Sequence, residues 1–171
     1  GCKCCHDRGP QGPAQWLPAQ EVLPGDYLLI PVPPHGDETP DPQFAELVGW
    51  VASEGYLGKK GDIQFTFSEN NQDDIDSVLR CLRAQGVSPA AQRIPQYDTD
   101  HVAVGSKDLS DRLRVYVEGV LAEKHLTGEV LRWDRDSLLR LLGAYIDGDG
   151  HVCGKGKNHG QLRIRSSSVQ M

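Results

Sequence analysis

The sequence lacks what a membrane span or a secreted leader requires. No apolar run approaches the eighteen or so residues of a spanning helix, and no basic-then-apolar leader opens the chain. The expectation is a cytoplasmic protein without a membrane partner. A disulfide framework is also missing. The five cysteines, an odd number, are Cys2, Cys4, Cys5, Cys81 and Cys153, with three of them crowded into the first five positions. There, "GCKCCHDRG" sets thiols beside His6, which reads either as half of a zinc site or as an irregular terminus. No second Cys/His pair follows at finger-like spacing. Net positive charge is lacking as well. The formal charge of −6 argues against nucleic acid for the chain as a whole.

The charge that is present lies unevenly. Residues 1–43 and 44–100 each carry a balance of −4, whereas 101–171 carry +2. After Gly150 come Lys155, Lys157, Arg163 and Arg165 and no acid. A local basic surface matters more for phosphate contact than the global sum. Length and balance, 171 residues with 38% hydrophobic and 25% charged, fit one soluble domain or one plus a fragment.

"PVPPHGDETPDPQ" at 31–43 is rich in proline and acid and reads as a linker. Before it, "YLLIPV" has the length of a short strand. After it, "FAELVGWVASEG" has helical spacing up to Gly55, read as the C-cap. "YLGKKGDIQFTFSE" predicts a hairpin, with Ile63, Phe65 and Phe67 on one face and Gln64, Thr66 and Ser68 on the other. "NQDDIDSVLRCLRAQG" is an amphipathic helix stopped by Gly86. "QRIPQ" and "HVAVGS" predict strands, and "KDLSDRLRVYVEG" and "RDSLLRLLGAYIDGDG" predict helices.

The last of these helices ends in Asp147 and Asp149, at the negative end of the helix dipole, where carboxylates are least welcome. The pattern also occurs twice. Helix, acid, glycine, short strand, Gly/Lys turn and alternating strand recur at 54–70 and 149–167, offset by 95 residues. Gly49 and Ser53 share one helix face, as do Ala144 and Gly148, and small side chains let two helix backbones approach. Glu54 and Asp149 would then meet. Two carboxylates at two negative helix ends invite a hard divalent cation, Mg²⁺ or another, suited to phosphodiester hydrolysis. In the second copy Gln161, Arg163 and Arg165 share a face fitted to base edges.

These residues resemble a known family. "LVGWVASEG" (47–55) and "LGAYIDGDG" (142–150) look like the paired signature motifs of LAGLIDADG homing endonucleases of the type carried in inteins. Ala52 and Glu54 stand in the first where Asp147 and Asp149 stand in the second. The resemblance implies an α+β, pseudo-two-fold fold. Each half is an αββαββα repeat, the second copy incomplete, with the sheets saddling double-stranded DNA. It implies catalytic Glu54 and Asp149, with Lys124 assisting and Lys107 a weaker candidate. It places metal at Glu54, Asp149, Gly55 and Gly150. The DNA-facing set is Lys59, Lys60, Gln64, Thr66, Lys155, Lys157, Gln161, Arg163 and Arg165. An exposed helix-end lysine is the plainer reading of Lys124.

"WLPAQEVLPGDYLLIPVP" is similar to part of an intein splicing (Hint) domain. The implied organisation is a Hint fragment plus linker at 1–43, a first endonuclease half at 44–136 and the start of a second at 137–171. Intein splicing uses a Cys or Ser nucleophile, a Thr-x-x-His motif and a terminal His-Asn. These do not occur here, and "KNHG" at 157–160 has the last order reversed. The expectation is therefore a piece of a longer intein, monomeric, with host exteins in cis. The alternatives are a DNA-binding module of the same fold without cleavage, or a structural insert.

Overall fold

The computed structural model describes residues 36–68, 71–94, 99–152 and 162–164, together with Glu21. All but Glu21 belong to one compact unit, His35–Met171. Apart from Glu21, the Hint-like segment up to residue 35 lies outside the described residues, with Cys2, Cys4, Cys5 and His6, and so do Lys155, Lys157, Gln161 and Arg165.

Helix α1 (Pro42–Ser53) starts where Asp41 caps it, its carboxylate accepting from Phe44 N–H at 2.9 Å, with proline pre-set at the first helical position. Phe44, Leu47, Val48, Trp50 and Val51 are all buried. A helix buried this completely is central, not peripheral. Strands β1 (Gly55–Leu57) and β2 (Asp62–Ser68) follow as an antiparallel hairpin with Gly55 opposite Phe65. Its turn needs Gly61, whose φ of +92° most side chains resist.

Helix α2 (Gln72–Ala84) packs on α1 through Ile75, Val78, Leu79 and Leu82. Gly86, at φ +77°, closes it: Gly86 N–H bonds Arg83 C=O at 2.9 Å and Val87 N–H bonds Leu82 C=O at 3.4 Å. That is the paired closure of a left-handed glycine cap. Strands β3 (Ala90–Ile94) and β4 (Thr99–Gly105) complete an antiparallel sheet in the order β1-β2-β4-β3. Ile63, Phe65, Phe67, Val102 and Val104 form its buried face.

Helix α3 (Lys107–Leu113) is capped by Ser106 and is shorter than predicted. The helix expected over 107–119 ends at Leu113, because Val115, Tyr116 and Val117 favour extended backbone and have aromatic and strand partners to reach. Tyr116 packs edge-on to Phe44 and 4.8 Å from the Trp133 ring, and Val117–Glu118 (β5) pairs with His125–Leu126 (β6). Two 3₁₀ turns, Leu121–Glu123 and Gly128–Arg132, were not anticipated.

Helix α4 (Arg135–Asp149), capped by Asp134, lies against α1 and is followed by β7 (Gly150–Val152) and β8 (Leu162–Ile164, which includes Arg163). These two strands pair antiparallel, with Gly150 opposite Ile164. The fold is thus mixed α+β with an antiparallel sheet. From α1 to α3 the order is αββαββα, and α4-β7-β8 has the order of α1-β1-β2. Among the described residues no helix is long and apolar enough to cross a membrane.

Candidate active site

The α1–α4 interface is set by glycines. A methyl group on Gly49 would run into the backbone oxygen of Leu141 and lie 2.9 Å from Ala144 Cβ. One on Gly148 would lie 2.6 Å from Ser53 Cβ and 3.2 Å from Glu54 Cγ. Only hydrogen at both positions permits this approach. Ser53 keeps to its own helix, its hydroxyl donating to Gly49 C=O at 3.2 Å and to Trp50 C=O at 3.3 Å. The structure therefore brings Gly49, Ser53, Ala144 and Gly148 into one seam. The two acids stand at its end: Glu54 at the C-cap of α1 and Asp149 as the last residue of α4.

The Glu54 carboxyl is half-buried, and its pKa is pushed up to about 6. Burial is the main cause, the charge of Asp149 the second, and Lys124 pulls the other way. A third acid, Asp74 in the first turn of α2, adds to the negative field on Glu54. The Asp74 carboxyl is itself raised by burial, then by Asp147 and Asp73. No sequence pattern singles out Asp74, since an acid in the first turn of a helix has an ordinary explanation in the helix dipole.

Gly55 does not close α1. Its φ is not positive, and it enters β1 directly, packed so closely on the Val51 backbone that a side chain would not fit. Gly55 was expected at the metal site, and its carbonyl accepts from Lys124 Nζ at 3.1 Å. A dication placed there would face an ammonium at hydrogen-bonding distance, so the donors that fit a cation are the carboxylates. Gly150 donates its N–H to Ile146 C=O and pairs in β7.

Lys124 is half-buried, not an exposed helix-end lysine. Its ammonium also donates to Ser53 C=O at 2.7 Å and Val51 C=O at 3.3 Å. An ammonium has three protons, and three carbonyls accept them here. Burial lowers the Lys124 pKa, against the pull of Asp149 and Glu54. Lys107 is exposed and ion-paired with Asp111 at 2.8 Å.

The sheet face opposite the core carries polar, hydrogen-bonding side chains. Gln64 and Thr66 are exposed there, and Lys59 and Lys60 are exposed on the β1–β2 turn. Strand pairing adds three residues that sequence reasoning missed: Tyr56 opposite Gln64, His101 opposite Thr66, and Gln92 opposite His101. Among the described residues no group of three or more His, Cys, Asp or Glu is gathered to hold a metal.

No family model matches the chain. It is 26% identical over 145 residues to iron-sulfur cluster assembly SufBD family proteins of Mycobacterium bovis and Mycobacterium tuberculosis. The match takes in 81% of this chain and 17% of those relatives, so the chain spans about a sixth of their length. The structure of the homing endonuclease I-WcaI bound to its DNA recognition sequence is similar over 64% of this chain and 51% of that one. The identity there is 16% and the TM-score 0.44.

Proposed function

We propose that the chain is part of an intein carrying a LAGLIDADG-type homing endonuclease that hydrolyses phosphodiester bonds in double-stranded DNA. The observation that carries this reading is the coupling of Glu54 and Asp149 at the ends of two helices joined through Gly49 and Gly148. Acids packed this way are costly unless they meet positive charge. Their oxygens fit Mg²⁺, which commonly takes one or two carboxylates and completes its shell with water and phosphate oxygens. When bound, the cation supplies Lewis-acid and water-activating chemistry.

The chain's own residues do the rest. Glu54 and Asp149 present carboxylate oxygens from opposite sides of the seam. The Glu54 carboxyl, held partly out of water, is more basic than a free one, as suits a proton acceptor near neutral pH. Strand β1 begins at Gly55, immediately after Glu54, so the sheet's polar face is tied directly to the acid. Gln64, Thr66, Gln92 and His101 offer donors and acceptors to base edges, and Lys59 and Lys60 offer charge to phosphates.

The relatives fit an embedded element, because the matched stretch is a small share of a much longer protein. On this reading the host, with exteins in cis, is of the iron-sulfur cluster assembly class. Cys81, the free cysteine described, is buried with its thiol pushed up to about 12, the reverse of what a thiolate ligand needs.

Incubation of the chain with Mg²⁺ and a plasmid library of randomised sites tests the nuclease. Linear products that vanish in EDTA and in Glu54→Gln and Asp149→Asn are expected. An intact library removes the cleavage claim. Gel shifts in EDTA across a salt series then separate a DNA-binding module from an insert without a DNA role.

A further inference from the structure

The end of α1 raises a problem that its own sequence does not solve. The last carbonyls of a helix have no partner within it and carry the negative end of the dipole. The usual remedy is a left-handed glycine, as Gly86 provides for α2. Gly55 cannot provide it, because its backbone is already extended and paired with Phe65. Two acids crowd the same end and deepen the negative field there.

The cation that answers this comes from far along the chain. Lys124 Nζ lies 3.3 Å from Val51 C=O, 2.7 Å from Ser53 C=O and 3.1 Å from Gly55 C=O. Those carbonyls straddle Glu54, two before it and one after. The segment that delivers the lysine is a tight, irregular loop between β5 and β6. Gly119 turns at φ +77°, and Leu121 adopts φ +51°, a conformation that non-glycine side chains disfavour. Leu121 is 86% exposed, so packing of its own side chain does not account for that backbone. Strain of this kind persists where the surroundings impose it. Here the loop ends in Lys124 as the cap of its 3₁₀ turn and is tied by β6 to β5.

We infer that Lys124 is a positioning residue: its ammonium closes the C-terminus of α1 and fixes the backbone on either side of Glu54, so that the Glu54 side chain stays with its Cγ against Gly148. Lys124 acts on Glu54 through the carbonyls of Val51, Ser53 and Gly55, not by touching substrate. Naming Glu54 as a working carboxylate rests on the function proposed above, but the closure itself does not. It can be tested without DNA or metal, so its failure is separate from a failure of the nuclease reading.

The experiment is NMR on the full chain in EDTA. In the wild type, Lys124 Nζ should show slowed proton exchange and scalar couplings across its hydrogen bonds to the carbonyl carbons of Val51, Ser53 and Gly55. The Glu54 Hγ protons should give a nuclear Overhauser contact to Gly148 Hα. Lys124→Met should cut amide protection at Ser53 and Glu54 at least tenfold and abolish the Glu54–Gly148 contact. Lys124→Arg, which keeps several donors, should restore both. Absence of the wild-type couplings overturns the inference even where Lys124→Met does not fold. So does a Glu54–Gly148 contact that survives in Lys124→Met.

Discussion

Burial and the charge of Asp149 both favour the protonated form of Glu54, while the Lys124 ammonium pulls the other way. The sign of the pH dependence follows. A carboxyl whose pKa is raised from 4.5 to about 6 on folding holds its proton more tightly in the native state. Its stabilising contribution is full below about pH 4.5 and is lost as pH rises through about 6. Since the group is half-buried, solvent screening reduces the effect to on the order of 1 kcal/mol. Urea titrations of wild type and Glu54→Gln in EDTA, from pH 4.5 to 8, should show the variant gaining relative stability by about that amount towards pH 8. Equal pH profiles would remove the desolvated-carboxyl account. Divalent cation should reverse the penalty. At a concentration of about ten times its dissociation constant, linkage predicts roughly 1.4 kcal/mol of added stability. In a chain of this size that raises the melting temperature by a few degrees, on the order of 3–5 °C. The rise should appear with Mg²⁺ or Ca²⁺ in wild type and disappear in Glu54→Gln and Asp149→Asn.

At the scale of the helix and strand, α4 holds a built-in comparison. Gly143 and Gly148 lie on the same helix, yet a methyl group at Gly143 meets nothing within 4 Å, whereas one at Gly148 strikes Ser53. Gly143→Ala should therefore stabilise by about 1 kcal/mol through helix propensity alone. Gly148→Ala and Gly49→Ala should instead destabilise by roughly 1–3 kcal/mol through overpacking. Equilibrium denaturation reads all three, and stabilisation by Gly148→Ala would contradict close contact at the seam. The same elements show what the sequence could and could not convey. The alternation in β2 and the amphipathic run closed by Gly86 were legible, because strand faces and glycine caps are local. The acids at 54 and 149 stood out for the same reason, each ending a helix beside a glycine. Closure of α1 was not legible, because the cap comes from Lys124, 71 positions from Ser53. Nor was the early end of α3: a pattern that allows another helical turn says nothing of the Phe44 and Trp133 rings that draw Tyr116 away. The outer-face set was only half visible, since β4 inserts between β2 and β3, and no local pattern specifies that order.

On the proposed function, the whole molecule must reconcile a formal charge of −6 with a polyanionic partner. Acids gather near the helix ends, where the charges of Asp149 and Asp74 act on Glu54 and that of Asp147 acts on Asp74. The sheet's outer face, by contrast, presents Tyr56, Gln64, Thr66, Gln92 and His101, with Lys59 and Lys60 at its hairpin tip. A duplex lying on that face would meet hydrogen-bonding readers along the strands and cations at the turn, with its phosphates repelled at the acids until a dication intervenes. Two predictions separate these parts. Replacing both hairpin lysines with alanine should weaken binding to all sequences alike. It should also flatten the slope of log affinity against log salt by about 2, since each phosphate contact contributes about 0.9. Gln64→Ala should leave that slope intact and relax base preference at the contacted position, at a cost of about 1–3 kcal/mol in discrimination. Fluorescence anisotropy over a KCl series, on sites selected from a randomised pool, measures both quantities on the same variants. A salt slope untouched by loss of Lys59 and Lys60, together with unchanged preference in Gln64→Ala, would place the duplex elsewhere and detach this face from the function assigned to it.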